Sequence, residues 1–346
     1  MELDYTQLLK NIEAALDRWL PENVNPVWAE EVFPGFGEKV SAESLKALIL
    51  PGRDMILRGG KRWRPLLMML VCESLGGGDA VLPFIPLVEF CHNASLIHDD
   101  MEDASDERRG KPVIHQIYGI DTAINSGSFL YFLASCCIES CVTGNKDRFY
   151  RLWAECMCKL HLGQAIDIKW HRDISFIPEI EEYYAMGRLK TGSLTRFAVE
   201  IGAYAAGVSP EAAQQLGEAA EKLGLGFQIL DDVKNLTGSI PGKKRGDDMV
   251  EGKKSLPVLL YAVKYPEKRE HIAYCFYTAG RNGPSEPEVE ELIQDMVDAG
   301  VLAEAEERGR FFIEDALKNF SATEICGFPM NENGRSLIAD LIGLIS

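Results

Sequence analysis

Basic charge is what this sequence has least of for its size. Against 53 Asp and Glu stand only 36 Lys and Arg, a formal net charge of −17 over 346 residues. A phosphate backbone has to be met by a basic surface, so nucleic acid is excluded as an expected partner. The same deficit disfavours general adhesion to anionic membranes. An anionic small molecule would need a local cationic pocket or bridging metal ions. The opening MELDYTQLLK is acidic and amphipathic, without the basic start and apolar core of a signal peptide. No apolar run is expected to approach the roughly 20 residues that cross a bilayer, and no cysteine stands where C-terminal lipidation requires one. The nine cysteines are odd in number, and CCIESC and CMC lack zinc spacing. They point to a reducing, cytoplasmic setting rather than a disulfide framework or a soft-metal site.

Alternating strand patterns are scarce, as are low-complexity linkers and internal repeats. Helical periodicity dominates instead. LLKNIEAALDRWL, VLPFIPLVEFCHNASLI, NSGSFLYFLASCCIESCV, RLWAECMCKLHLGQAIDI and EAAQQLGEAAEKLGLGFQIL carry apolar residues at i, i+3, i+4 and i+7. Breakers such as GGGD, RRGKP, TGNKD and GSIPGKKRGDD separate them. An all-α chain of ten or more helices follows, expected as one domain over residues 1–346 with an N-terminal extension of about 1–40. Several middle helices are apolar on most faces, which makes them central.

Two acidic helix ends stand out. LIHDDMED places Asp99, Asp100 and Asp103 after an apolar run, and GFQILDDVKN repeats the device with Asp231, Asp232 and Asn235. Positions i and i+4 lie about 40° apart on a helix, so Asp99 and Asp103 share a face. Like charges at that spacing destabilise a helix by a few tenths of a kcal/mol unless a cation compensates. A solvated acidic end explains either motif alone, but two of them favour carboxylates that hold Mg²⁺ on a diphosphate. Cationic counterparts are present in LRGGKRWRP, in Arg108-Arg109, in RLKTGS and around GKKRGDDMVEGKK; guanidinium forks and lysines bind phosphate oxygens. His92 and His98 are separated by six residues and do not make a one-face metal pair. No convincing Ser/His/Asp or Cys/His arrangement exists.

GGKRWRP, HNASLIHDDMEDASDERRGKP, GQAID, KTG, GFQILDDVKN and GKKRGDDMVEGKKSLP, in that order over residues 59 to 257, resemble the trans-isoprenyl diphosphate synthases, or polyprenyl synthetases. The stretch YGIDTAINSGSFLYFLA is most similar to the geranylgeranyl diphosphate synthases of the eukaryotic type. The resemblance implies an isoprenoid synthase fold, with central helices around a deep cavity, and a homodimer. It implies condensation of an allylic diphosphate with isopentenyl diphosphate, with about three Mg²⁺ per active site.

Residue by residue, the resemblance makes Asp99, Asp103 and Asp231 Mg²⁺ ligands, supported by Asp100, Asp232 and Asn235. Arg108, Lys190, Thr191, Gln228, Lys243 and Lys253 fall where the family binds the allylic diphosphate, and Lys190 and Gln228 would also act on the reacting cation. Lys61, Arg64, His92 and Arg109 fall where it binds isopentenyl diphosphate, and Gln164 and Asp167 match its GQxxD element. Ala94 and Ser95, small residues ahead of Asp99 with Cys91 a turn deeper, leave room for a chain beyond fifteen carbons, while Tyr131, Phe132 and His161 match the pocket floor. A C20 product is expected. Farnesyl or C25 and longer products, a class I terpene cyclase and a non-catalytic synthase subunit are the alternatives. Asn235 stands where many members have Asp, and Leu162 where Arg is frequent.

Overall fold

The computed structural model describes residues 5–36, 39–141, 145–238 and 245–346. Among them strands are confined to two hairpins of two-residue strands, Glu107–Arg108 with Lys111–Pro112 and Glu324–Ile325 with Phe328–Pro329; everything else regular is helix. The all-α reading holds. The chain divides into two compact units, the first made of Met1–Glu155, Phe197–Gln214 and Ala322–Ile345, the second of Cys156–Arg196 and Gln215–Ser321 with Ser346.

The first unit is built around the helix Ile85–Glu102. Pro86 suits its first turn, where the missing N–H costs nothing. Leu87, Val88, Phe90, Cys91, Ala94 and Ile97 are buried on several of its faces. Burying each large one contributes about 2 kcal/mol relative to exposure. It packs along Ile120–Ser140 and against Tyr5–Trp19. Trp63–Ser74 packs on the last helix, Glu332–Ile345. The stretch Gly78–Glu102 is long and apolar enough to cross a membrane, contrary to the expectation that none is; two-thirds of its apolar window is buried inside the chain. Its hydrophobicity is that of a core helix.

Leu256–Lys264 centres the second unit. Every residue from Leu256 to Ala262 is buried, the signature of a helix surrounded by others. Around it lie Ile180–Gly187, Arg269–Asn282, Pro287–Asp298 and Val301–Phe320. The part of the helix Pro210–Thr237 that carries Gln228, Asp231 and Asp232 belongs to this unit.

Candidate active site

In the first unit the helix Ile85–Glu102 ends on its aspartates. Asp103 closes it, its backbone N–H donating to the Asp99 carbonyl at 2.9 Å, and Ala104 turns the chain away with φ +52°. Asp99 and Asp103 are half-buried and Asp100 is fully buried. The hairpin Glu107–Arg108/Lys111–Pro112 then folds back, and Arg108 donates from Nε to Asp100 at 2.7 Å and lies 3.6 Å from Asp99. Asp100 is thus held most tightly by Arg108, while the carboxylates of Asp99 and Asp103 stand one turn apart beside it.

Lys61, Arg64, His92 and Arg109 line one cavity of about 270 Å³ in this unit, with Gly60, Arg62, Trp63 and Glu89. The Arg64 guanidinium lies 4.3 Å from the Trp63 ring centroid. Burial, and then Arg64, Arg109, Arg108 and Arg62, hold the His92 imidazole well below its usual pKa, so it is neutral. A neutral imidazole among arginines can hydrogen-bond an anion without adding charge. Arg109 is fixed by backbone carbonyls, donating to Gly59 and Met55, and adopts φ +55°.

In the second unit Lys190 and Thr191 sit in a single π-helical turn, Arg188–Gly192, a widening common at functional sites. Opposite it Gly163 allows contact: a Cβ there would lie 2.4 Å from the Lys190 nitrogen. Lys190 Nζ meets Asp167 Oδ2 at 2.6 Å, and His171 Nε2 meets Oδ1 at 2.7 Å. Burial opposes ionisation of Asp167, but Lys190 and His171 outweigh it and hold the carboxyl well below its usual pKa. Thr191 donates to Gln228 at 2.7 Å, Gln228 to Asp232 at 2.9 Å, and the Tyr183 hydroxyl to Asp232 at 2.6 Å. Burial, then the charge of Asp248, pushes Asp232 up to about 7. Asp231 is exposed and Asn235 buried, its side chain accepting from the Asp248 N–H at 3.3 Å. Lys253 pairs with Glu251 and lies 3.9 Å from Asp248. Lys243 lies outside the described residues.

The chain-length residues divide. Ala94 is fully buried and Ser95 half-buried. Tyr131 is buried and stacked on His98, centroids 5.7 Å apart and planes at 9°, and Gly127 makes room for that imidazole. Phe132, about 100° around the helix from Tyr131, is 63% exposed and meets Trp153 edge-on. His161, in the second unit, is exposed, with Nδ1 2.8 Å from the Met157 carbonyl.

Sequence reading missed several partners. His171 stands four residues after Asp167, a spacing that could have announced the pair. Glu89, a lone carboxylate in the apolar run ahead of Asp99, signalled a buried counter-charge. Tyr183 and Glu13 left no such mark.

A model of the polyprenyl synthetase family matches residues 46–296. The chain belongs to the polyprenyl synthetase family. It is 36% identical over 274 residues to the geranylfarnesyl diphosphate synthase of Aeropyrum pernix, covering 76% of this chain and 83% of that one. It is 32% identical over 292 residues to the geranylgeranyl pyrophosphate synthase of Geoglobus acetivorans, covering 83% and 88%. The crystal structure of the geranylgeranyl pyrophosphate synthetase of Pyrococcus horikoshii superposes with a TM-score of 0.79 at 26% identity, over 99% of this chain and 98% of that one. As a member of this family the protein is a prenyl diphosphate synthase, an enzyme that joins an allylic diphosphate to isopentenyl diphosphate.

Proposed function

We propose that the protein is a Mg²⁺-dependent trans-prenyltransferase whose main product is geranylgeranyl diphosphate, C20. The observation that carries the reading is the convergence of Lys61, Arg64, His92 and Arg109 on one cavity, a built receptor for the diphosphate of isopentenyl diphosphate. Arg108, Lys190, Thr191, Gln228, Lys243 and Lys253 take the allylic diphosphate.

The donor set fits Mg²⁺: Asp99, Asp103 and Asp231 present hard carboxylate oxygens. Among the described residues no three His, Cys, Asp or Glu side chains are grouped so as to hold a metal ion by themselves, and Mg²⁺ typically uses one or two carboxylates together with substrate phosphates. When bound, Mg²⁺, about three ions per site, neutralises charge on the diphosphate. The cationic side chains do the same from fixed positions. The allylic C–O bond breaks with its electron pair leaving on the diphosphate. The alkene electrons of isopentenyl diphosphate form the new C–C bond, and a proton leaves to the departed diphosphate. The Thr191 and Gln228 oxygens stabilise the developing cation, and excluding water from it prevents its capture.

Small Ala94 and Ser95 support a product longer than C15, and the Tyr131–His98 stack supports a floor near C20. The name of the Aeropyrum relative favours C25 as the second reading. We further propose one synthetase domain taking in both units, a cytoplasmic location and a homodimer; the exposed apolar side chains of Ile117, Ile120, Ile124 and Phe132 support the last. Incubation of the protein with isopentenyl diphosphate and dimethylallyl, geranyl or farnesyl diphosphate should give linear elongated product with Mg²⁺ and none after chelation. Cyclised hydrocarbon would mark a cyclase, and no product a non-catalytic subunit.

A further inference from the structure

We infer that Glu13, in the N-terminal helix ahead of the family match, is a positioning residue for the isopentenyl diphosphate cavity. It acts through Arg62, and the inference rests on the reading of that cavity given above. The family match begins at residue 46, yet the helix Tyr5–Trp19 is part of the first unit's core, with Leu8, Ile12, Leu16 and Trp19 buried. That packing fixes where Glu13 stands. Its two oxygens accept from the Arg62 Nε at 2.8 Å and Nη2 at 3.5 Å.

Arg62 is a demanding residue to hold. Its side chain is buried, and its backbone adopts φ +48°, a left-handed conformation that a long side chain rarely takes. Such a conformation persists only when the surroundings over-determine it. Here they do. Nη1 donates to Glu89 at 2.8 Å, Nη2 to the Ile56 carbonyl at 2.7 Å, and Nε to Glu13. Arg62 lies between Lys61 and Arg64, so its conformation sets the path of both cavity cations. Its carbonyl also accepts the Leu66 N–H at 3.1 Å, starting the helix Trp63–Ser74. The network continues through Glu89, which accepts from Asn93 at 3.1 Å, to Arg109, which donates to Asn93 at 3.4 Å. One chain of ion pairs and hydrogen bonds therefore runs from the N-terminal helix to the far cation of the cavity.

Charge balance requires it as well. Lys61, Arg62, Arg64 and Arg109 repel one another before the anion arrives, and only Glu89 among the cavity's lining residues is acidic. Glu13 supplies a second negative charge from outside the cavity, where it does not compete for the diphosphate. Its side chain is half-exposed, so the effect is moderate rather than complete.

The test is steady-state kinetics on the full chain with both substrates varied. Glu13→Ala should raise KM for isopentenyl diphosphate about five-fold, with kcat and KM for the allylic diphosphate within about two-fold. Glu13→Gln, which keeps an acceptor but not the charge, should fall between Ala and wild type. Arg64→Gln is run beside them and should raise the same KM more strongly. If Arg64→Gln leaves that KM unchanged, the cavity reading fails. If Arg64→Gln acts and the Glu13 variants match wild type, or change only the melting temperature, the positioning role is overturned. Should Glu13→Ala not fold, the rise or its absence in Glu13→Gln decides.

Discussion

Arg108 closes on Asp100 from eight residues away, with Nε at 2.7 Å and Nη2 at 2.5 Å from the same carboxylate oxygen. Asp100 is fully buried and Asp99 beside it is not. The two neighbours therefore do different work. Asp100→Ala removes the nearer partner of a part-buried guanidinium, leaving it only Asp99 at 3.6 Å, and breaking such a pair costs up to about 3 kcal/mol; the urea midpoint should fall. Asp99→Ala should leave that midpoint near wild type and abolish metal-dependent turnover. Equal stability losses in both variants would remove the distinction.

Lys190 owes its position to Asp167, 2.6 Å away, which His171 supports from the other oxygen. Asp167→Asn should weaken that hold and raise KM for the allylic diphosphate about ten-fold, with KM for isopentenyl diphosphate nearly unchanged; a one-angstrom misplacement of a binding group has effects of this order or larger. A parallel rise in both constants would contradict it.

Lys254 is buried, 3.8 Å from the Phe276 ring centroid, with Nζ donating to the Gly252 carbonyl at 3.0 Å. Burial pushes its ammonium down to about 8 from 10.5, against the attraction of Asp173 and Asp167. Between those two values the unfolded chain holds a proton that the folded chain has lost, so stability rises with pH across the window. Relative to Lys254→Met, wild type should gain stability from pH 8 to pH 10.5, by ~3 kcal/mol at most. Parallel denaturation profiles of the two proteins would exclude the effect.

Product length should answer to the wall and floor separately. Ala94→Phe puts a ring at a fully buried position and should shorten the product to C15, at an overpacking cost of about 1–3 kcal/mol. Tyr131→Ala removes the ring stacked on His98 and should lengthen it beyond C20. Phe132→Ala, at an exposed site, should change product length less than Tyr131→Ala. Gas chromatography of the dephosphorylated alcohols reads all three; unchanged product from Ala94→Phe would sink the wall assignment.

Helices were legible because their apolar period is long and their breakers sharp. The two aspartate ends were legible because carboxylates after an apolar run cost free energy without a purpose. What stayed hidden depends on tertiary contact or on one extra residue per turn. Nothing in RLKTGS marks the π turn that carries Lys190, which lies where Gly163 lets two helices approach closely. The RRGKP segment read as a breaker, yet it is a hairpin whose Gly110 takes φ +75° and whose Arg108 returns to Asp100. Tyr131 and Phe132 both match the pocket floor of the family they resemble, while helix geometry sends them to different faces. Glu13 was invisible because its partner lies 49 residues on.

The most direct measurement is the product of the wild-type enzyme supplied with Mg²⁺, isopentenyl diphosphate and farnesyl diphosphate, resolved by chromatography after dephosphorylation. Geranylgeraniol should be the main alcohol, with none formed in the absence of metal. Geranylfarnesol as the main alcohol would contradict the C20 floor, and absence of any elongated alcohol would contradict the prenyltransferase itself.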